Sequence, residues 1–199
     1  MNRFPVNPTM NNTSDEFSFM KGKILMVDRW CFCRYHAIKA LSDKLVPYLV
    51  ANQMHLYLAE SAVSDINRQI ADPATDPSYR RSLQSGLQII QVLEDTGLIK
   101  YIGSEDESTE ETFLKFIMFL RTKREIVVLT QQKWLYDDIT LLSSIRTVQV
   151  PRIHIRRLNN DGCLENFRDN PQTSPAADSD TRKCENQPVS NALMRLGML

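Results

Sequence analysis

The sequence contains no run of about 18 consecutive apolar residues, so no segment reads as a bilayer-spanning helix. The opening MNRFPVNPTMNNTSDEF has no continuous apolar core behind Arg3. It therefore does not read as a secretory signal, and a cytoplasmic protein with no membrane association is expected. Net charge is absent as well: 24 Lys and Arg stand against 24 Asp and Glu over 199 residues. Such a chain lacks the overall basic surface that releases counterions from phosphates, which argues against a histone-like nucleic-acid binder while leaving local basic patches open. Glycine is scarce, with six residues and no G-x-G-x-x-G or G-x-x-x-x-G-K arrangement, which disfavours a nucleotide-binding loop. Cysteine and histidine are few, and no second close ligand pair accompanies Cys31 and Cys33 to make a zinc site. Their C-x-C spacing is too tight for an ordinary disulfide, so they read as small buried thiols.

What is present falls into three parts. Residues 1–21 are rich in Asn, Ser, Thr and Pro, and 159–199 are polar until the apolar end NALMRLGML. Both are expected to be flexible, the latter with a short apolar segment that could dock on the domain or on a protein partner. Between them, 22–158 alternates strand and helix patterns. KILMVD (23–28), HLYL (55–58), LIKYIG (98–103), EIVVLT (125–130) and TVQV (147–150) read as strands. Helices are expected over 36–52 with Pro47 as a kink or break, and over 60–72, 78–97, 109–123 and 132–144. The alternation predicts a three-layer α/β/α fold around a mainly parallel central sheet.

Open parallel sheets collect ligands at the carboxyl ends of their strands. Asp28 directly follows the first apolar strand and Thr130 the most apolar later one, so the two are expected to be neighbours. Asp65 lies in the helix after HLYL, and Glu110 and Glu111 open the helix before EIVVLT. Acidic residues at a helix start also complement the helix dipole, which is the plainer account of either glutamate alone.

Taken in order, a strand ending in Asp28, a helix with E-S-A-V-S-D-I, a helix start E-E-T-F-L and a strand V-V-L-T-Q-Q-K-W-L resemble the PIN domain family of metal-dependent ribonucleases, over roughly residues 23–150. The resemblance implies a PIN-like fold and a Mg2+- or Mn2+-dependent endoribonuclease that hydrolyses single-stranded RNA. Asp28, Asp65 and Glu110 would be metal ligands, with Glu111 the alternative to Glu110, and Thr130 would order the site. The fourth family acid falls on Gln132, and an amide there removes a full negative charge. Asp137 and Asp138 in the following helix could replace it, or could form an ordinary solvent-facing pair. The runner-up implied by Gln132 is a catalytically degenerate PIN-fold protein serving as an RNA-binding or protein-interaction module; a homo-oligomer is compatible with either. A response-regulator receiver, with a similar first strand, is disfavoured by the lack of an acidic pair after that strand.

Arg29 and Trp30 could contact an RNA backbone and stack on a base, or Trp30 and Phe32 could fill the core edge. In RIHIRR (152–157) the positive side chains fall on one face and Ile153 and Ile155 on the other. Arg152 and Arg156 could thus border an RNA groove, or could guard an edge strand against pairing.

Overall fold

Short apolar runs build the sheet. In a computed structural model that describes residues 16–144 and 151–167, β1 (Ile24–Val27), β2 (Leu56–Ala59), β3 (Ile99–Ile102) and β4 (Ile126–Leu129) are strands of four residues each. All four positions of β4 are buried, as a strand covered on both faces requires. With β5 (Ile153–Leu158) and the two-residue β6 (Leu164–Glu165), they form one sheet in the order β3-β2-β1-β4-β5-β6. The first five strands are parallel and β6 runs antiparallel to β5.

Helices link the parallel strands: α1 (Tyr35–Ala40), α2 (Val46–Asn52), α3 (Glu60–Ala71), α4 (Pro77–Asp95), α5 (Thr109–Leu120) and α6 (Lys133–Ser144). Right-handed crossovers place α1–α4 on one face and α5 and α6 on the other. The helix contacts agree, α4 meeting α1 and α3 while α5 meets α6. The result is the expected three-layer α/β/α arrangement. The core runs through it from Leu25, Met26 and Val27 to Leu83 and Ile90 on one side and to Phe113, Ile117 and Ile139 on the other.

Two expectations shift, and for Pro47 one of two alternatives falls away. Pro47 does not break its helix. Its missing N–H is accommodated by a π turn, Leu41–Leu45, in which the Val46 amide reaches back to the Leu41 carbonyl, so α1 and α2 form one continuous run. The segment expected to be flexible to residue 21 contributes Phe17 and Met20 to the core through a 3-10 turn at Ser18–Met20: both large apolar side chains are fully buried, Phe17 against the Tyr48 ring. The domain also continues past 158: Asn159 Oδ1 accepts from the Asp161 and Cys163 amides, Gly162 takes φ +73°, and the chain returns as β6. Within RIHIRR, Arg152 just precedes β5 and 153–157 lies in it; β6 pairs only with Arg157 and Leu158, so on that side Ile153, His154, Ile155 and Arg156 have no strand partner among the described residues. The expected strand at 147–150 and the apolar end at 191–199 lie outside the described residues. No helix among the described residues is long and apolar enough to cross a membrane.

Candidate functional site

The strand order reverses at β1, whose neighbours β2 and β4 lead away in opposite directions, and such a switch point leaves a crevice beyond the strand ends. Val27 pairs with Leu129, so the next residues, Asp28 and Thr130, emerge side by side. The Thr130 hydroxyl donates to Asp28 Oδ2 at 2.8 Å and accepts from the Gln132 amide at 3.0 Å. Asp28 is only 3% exposed. Burial pushes its carboxyl up to about 7, against the opposing effects of the Thr130 hydrogen bond and the Arg29 charge, and the Glu110 charge adds to the rise.

The other two acids arrive on helices. Asp65 projects from α3 and Glu110 from the first turn of α5, and a 3.1 Å hydrogen bond between the buried hydroxyls of Ser61 and Thr109 ties those two helix starts together. Ser108 caps α5 by accepting from the Glu111 amide, which gives Glu111 the acidic position of a capping box and leaves Glu110 facing the crevice.

Arg29 occupies the space between the acids. Its Nη1 donates to Asp65 Oδ2 at 2.9 Å and its Nη2 lies 3.9 Å from Glu110 Oε1. Arg68 takes the remaining oxygen of Asp65, Oδ1, at 3.2 Å. The arginine is held in place by its own turn, a 3-10 helix at Arg29–Phe32. The guanidinium lies 4.9 Å from the Trp30 ring centre, and Cys33 Sγ donates to the Arg29 carbonyl at 3.2 Å. From outside, Gly86 of α4 presses on the same turn: a Cβ at that position would stand 1.9 Å from the Phe32 carbonyl oxygen. Only glycine permits this approach.

Asp28, Asp65, Glu110 and Thr130 therefore meet at one crevice, and Glu111 stands beside it as a helix-start residue. Gln132 is 7% exposed and its Nε2 is buried with no partner among the described residues. Asp137 and Asp138 do not replace the missing acid as a pair. Asp137 is exposed and pairs with Lys133 at 3.1 Å, as a solvent-facing residue would. Asp138 instead turns inward, its Oδ1 unpartnered, and burial with the neighbouring Asp137 charge pushes it up to about 6. Trp30, 6% exposed, belongs to the core edge with Phe32 and offers little ring face for a base. Arg152 is exposed, whereas Arg156 is half-buried with its guanidinium 5.4 Å from the Phe19 ring centre, and Arg157 pairs with Glu165. The buried thiols behave as expected. Cys31 donates to the Leu129 carbonyl, and burial pushes Cys33 up to about 12, so neither is a thiolate at neutral pH.

Mg2+ seeks a near-octahedral set of oxygens, usually one or two carboxylates and waters. Here both oxygens of Asp65 face guanidinium groups, one oxygen of Asp28 accepts from Thr130, and an amide stands at the fourth position. Among the described residues no group of three or more His, Cys, Asp or Glu side chains is disposed to hold a metal ion. As arranged, the residues do not offer Mg2+ or Mn2+ a coordination set. Sequence reasoning missed the role of Arg29, whose only local signal is a cation placed directly after the strand-ending aspartate. Gly86 had no signal beyond being a glycine inside a helical pattern.

The fold and site thus define an open-sheet α/β protein with a carboxylate–arginine centre at its switch point. No protein-family model and no curated protein matches the chain.

Proposed function

We propose that the protein uses a PIN-like fold as a non-hydrolytic interaction module, the reading that Gln132 favours, and that its acidic crevice is neutralised from within. The observation that carries this reading is the pairing of Asp65 with both Arg29 and Arg68. Two carboxylates facing two guanidinium groups leave little net negative charge to draw a divalent cation, and a buried Asp28 that titrates near 7 adds less than a full charge at neutral pH. Protein is the favoured partner over RNA, since Arg156 and Arg157 of the basic strip are engaged within the fold. The free thiols suit a cytoplasmic setting.

The second reading, a Mg2+- or Mn2+-dependent endoribonuclease, draws its support from the convergence of Asp28, Asp65, Glu110 and Thr130 at a strand-end crevice. One experiment separates the two. A ligand that binds only the folded state raises thermal stability, so Mn2+ or Mg2+ at millimolar concentration is titrated against the melting temperature, alongside cleavage of a mixed single-stranded RNA. The interaction module predicts no cation-dependent shift and the same absence of cleavage in wild type and Asp28→Asn. A Mn2+-dependent rise together with cleavage lost in Asp28→Asn would establish the nuclease instead.

A further inference from the structure

We propose that Arg29 is a tethered counter-ion whose guanidinium bars divalent cations from the crevice, so that removing this one charge opens a site for a hard divalent cation. The inference rests on the self-neutralised reading above and deepens it by naming the residue responsible.

The geometry separates Arg29 from the other charges. It stands within ion-pair distance of two of the converging acids, 2.9 Å from Asp65 and 3.9 Å from Glu110. Arg68 touches Asp65 alone, one helical turn further along α3, with a side chain that is mostly exposed. It can swing into solvent at little cost. Arg29 is more constrained: Gly86 against Phe32 and the Cys33 thiol on its carbonyl fix the backbone of its turn, and its guanidinium lies against the Trp30 ring with a side chain only 16% exposed. Two of the acids meanwhile keep partial access to water at the mouth, Asp65 and Glu110 being 23% and 30% exposed at their side chains, with Arg29 between them and Asp28 buried behind. A hydrated ion could therefore reach them if the guanidinium were gone. Two carboxylates from different helices, with Asp28 behind them, would then face one another without a positive charge between. Oxygen ligands of that kind suit Mg2+, Mn2+ or Ca2+, with water completing the shell.

The test compares wild type, Arg29→Met and Arg29→Lys by thermal melting in EDTA and in millimolar MnCl2, with NaCl matched for ionic strength. Methionine keeps the apolar stem against Trp30 and removes the charge; lysine keeps the charge. Wild type and Arg29→Lys are expected to melt at the same temperature in both buffers. Arg29→Met is expected to melt lower in EDTA and to rise by roughly 5 °C or more with Mn2+ near a hundredfold excess over its dissociation constant. If Arg29→Met does not fold in EDTA, recovery of the fold by Mn2+ counts as the expected response. An Arg29→Met protein that Mn2+ neither stabilises nor rescues overturns the proposal while leaving the interaction-module reading intact. Mn2+ stabilisation of wild type overturns that reading itself, and a response in Arg29→Lys shows that charge is not what bars the ion.

Discussion

Asp28 carries an unusual electrostatic load for a single residue. Its folded-state carboxyl lies near 7 against an ordinary 3.8, so the folded chain holds the proton more tightly than the unfolded one. Stability from this group is therefore fully present below about pH 4 and is lost as the pH rises through about 7, an effect on the order of 4 kcal/mol at most. Asp28→Asn keeps an oxygen for the Thr130 hydroxyl and removes the titration. Urea midpoints should then match wild type near pH 4 and exceed it near pH 8. Asp138, raised in the same direction, leaves a smaller falling slope in the variant. An Asp28→Asn protein less stable than wild type at pH 8 would show that the charged form is held by a cation, contrary to the burial described here.

At the scale of elements, the sheet was legible because its strands are short apolar runs that stop at a polar residue. ILMV ending at Asp28 and IVVL ending at Thr130 placed two site residues before any geometry was known. The helices followed from their apolar stripes and from stops such as Gly97. What escaped was pairing between distant elements. The contact of Arg29 with Asp65 and Glu110 joins a turn after β1 to α3 and α5, and no local periodicity encodes it. The turn at Asn159–Gly162 is hidden for a different reason: N-D-G is a hairpin signal, but polar composition around it resembles a tail. Close packing between elements is equally silent in sequence, and Gly86 is the clearest case. Gly86→Ala gains about 1 kcal/mol in helix propensity yet must push α4 away from the Phe32 carbonyl. Overpacking of this kind costs roughly 1–3 kcal/mol, so net destabilisation by chemical denaturation is expected, with the Arg29 turn displaced. A more stable Gly86→Ala protein would mean that the two elements are not in contact in solution.

Across the whole molecule, the balance of 24 cations and 24 anions is reproduced locally, with carboxylates and guanidinium groups paired at the switch point and again between Arg157 and Glu165. The beginning and end of the described chain are also joined. Leu164 donates its amide to Glu16, and Phe19 lies against both His154 and Arg156. Arg156 thereby serves cohesion between the first turn and β5. Arg156→Glu is expected to cost about 1 kcal/mol of stability through the lost cation–π contact, while leaving RNA affinity at low salt unchanged. A steep loss of RNA affinity without loss of stability would return this strip to a nucleic-acid role.

The sheet order carries a consequence for self-association. An exposed row of unpaired backbone groups can template another chain, so the two outer strands decide whether a sheet keeps growing. One border is the two-residue β6 together with the β5 positions it leaves unpaired among the described residues, where His154 and Arg156 alternate with Ile153 and Ile155, and the other is β3, four residues with Lys100 exposed at its middle. A short border and a charged one both resist edge-to-edge addition. Concentrating or refolding this protein should accordingly favour single sheets over fibrillar stacking, since neither rim offers a long, uninterrupted apolar strand for a second copy to extend.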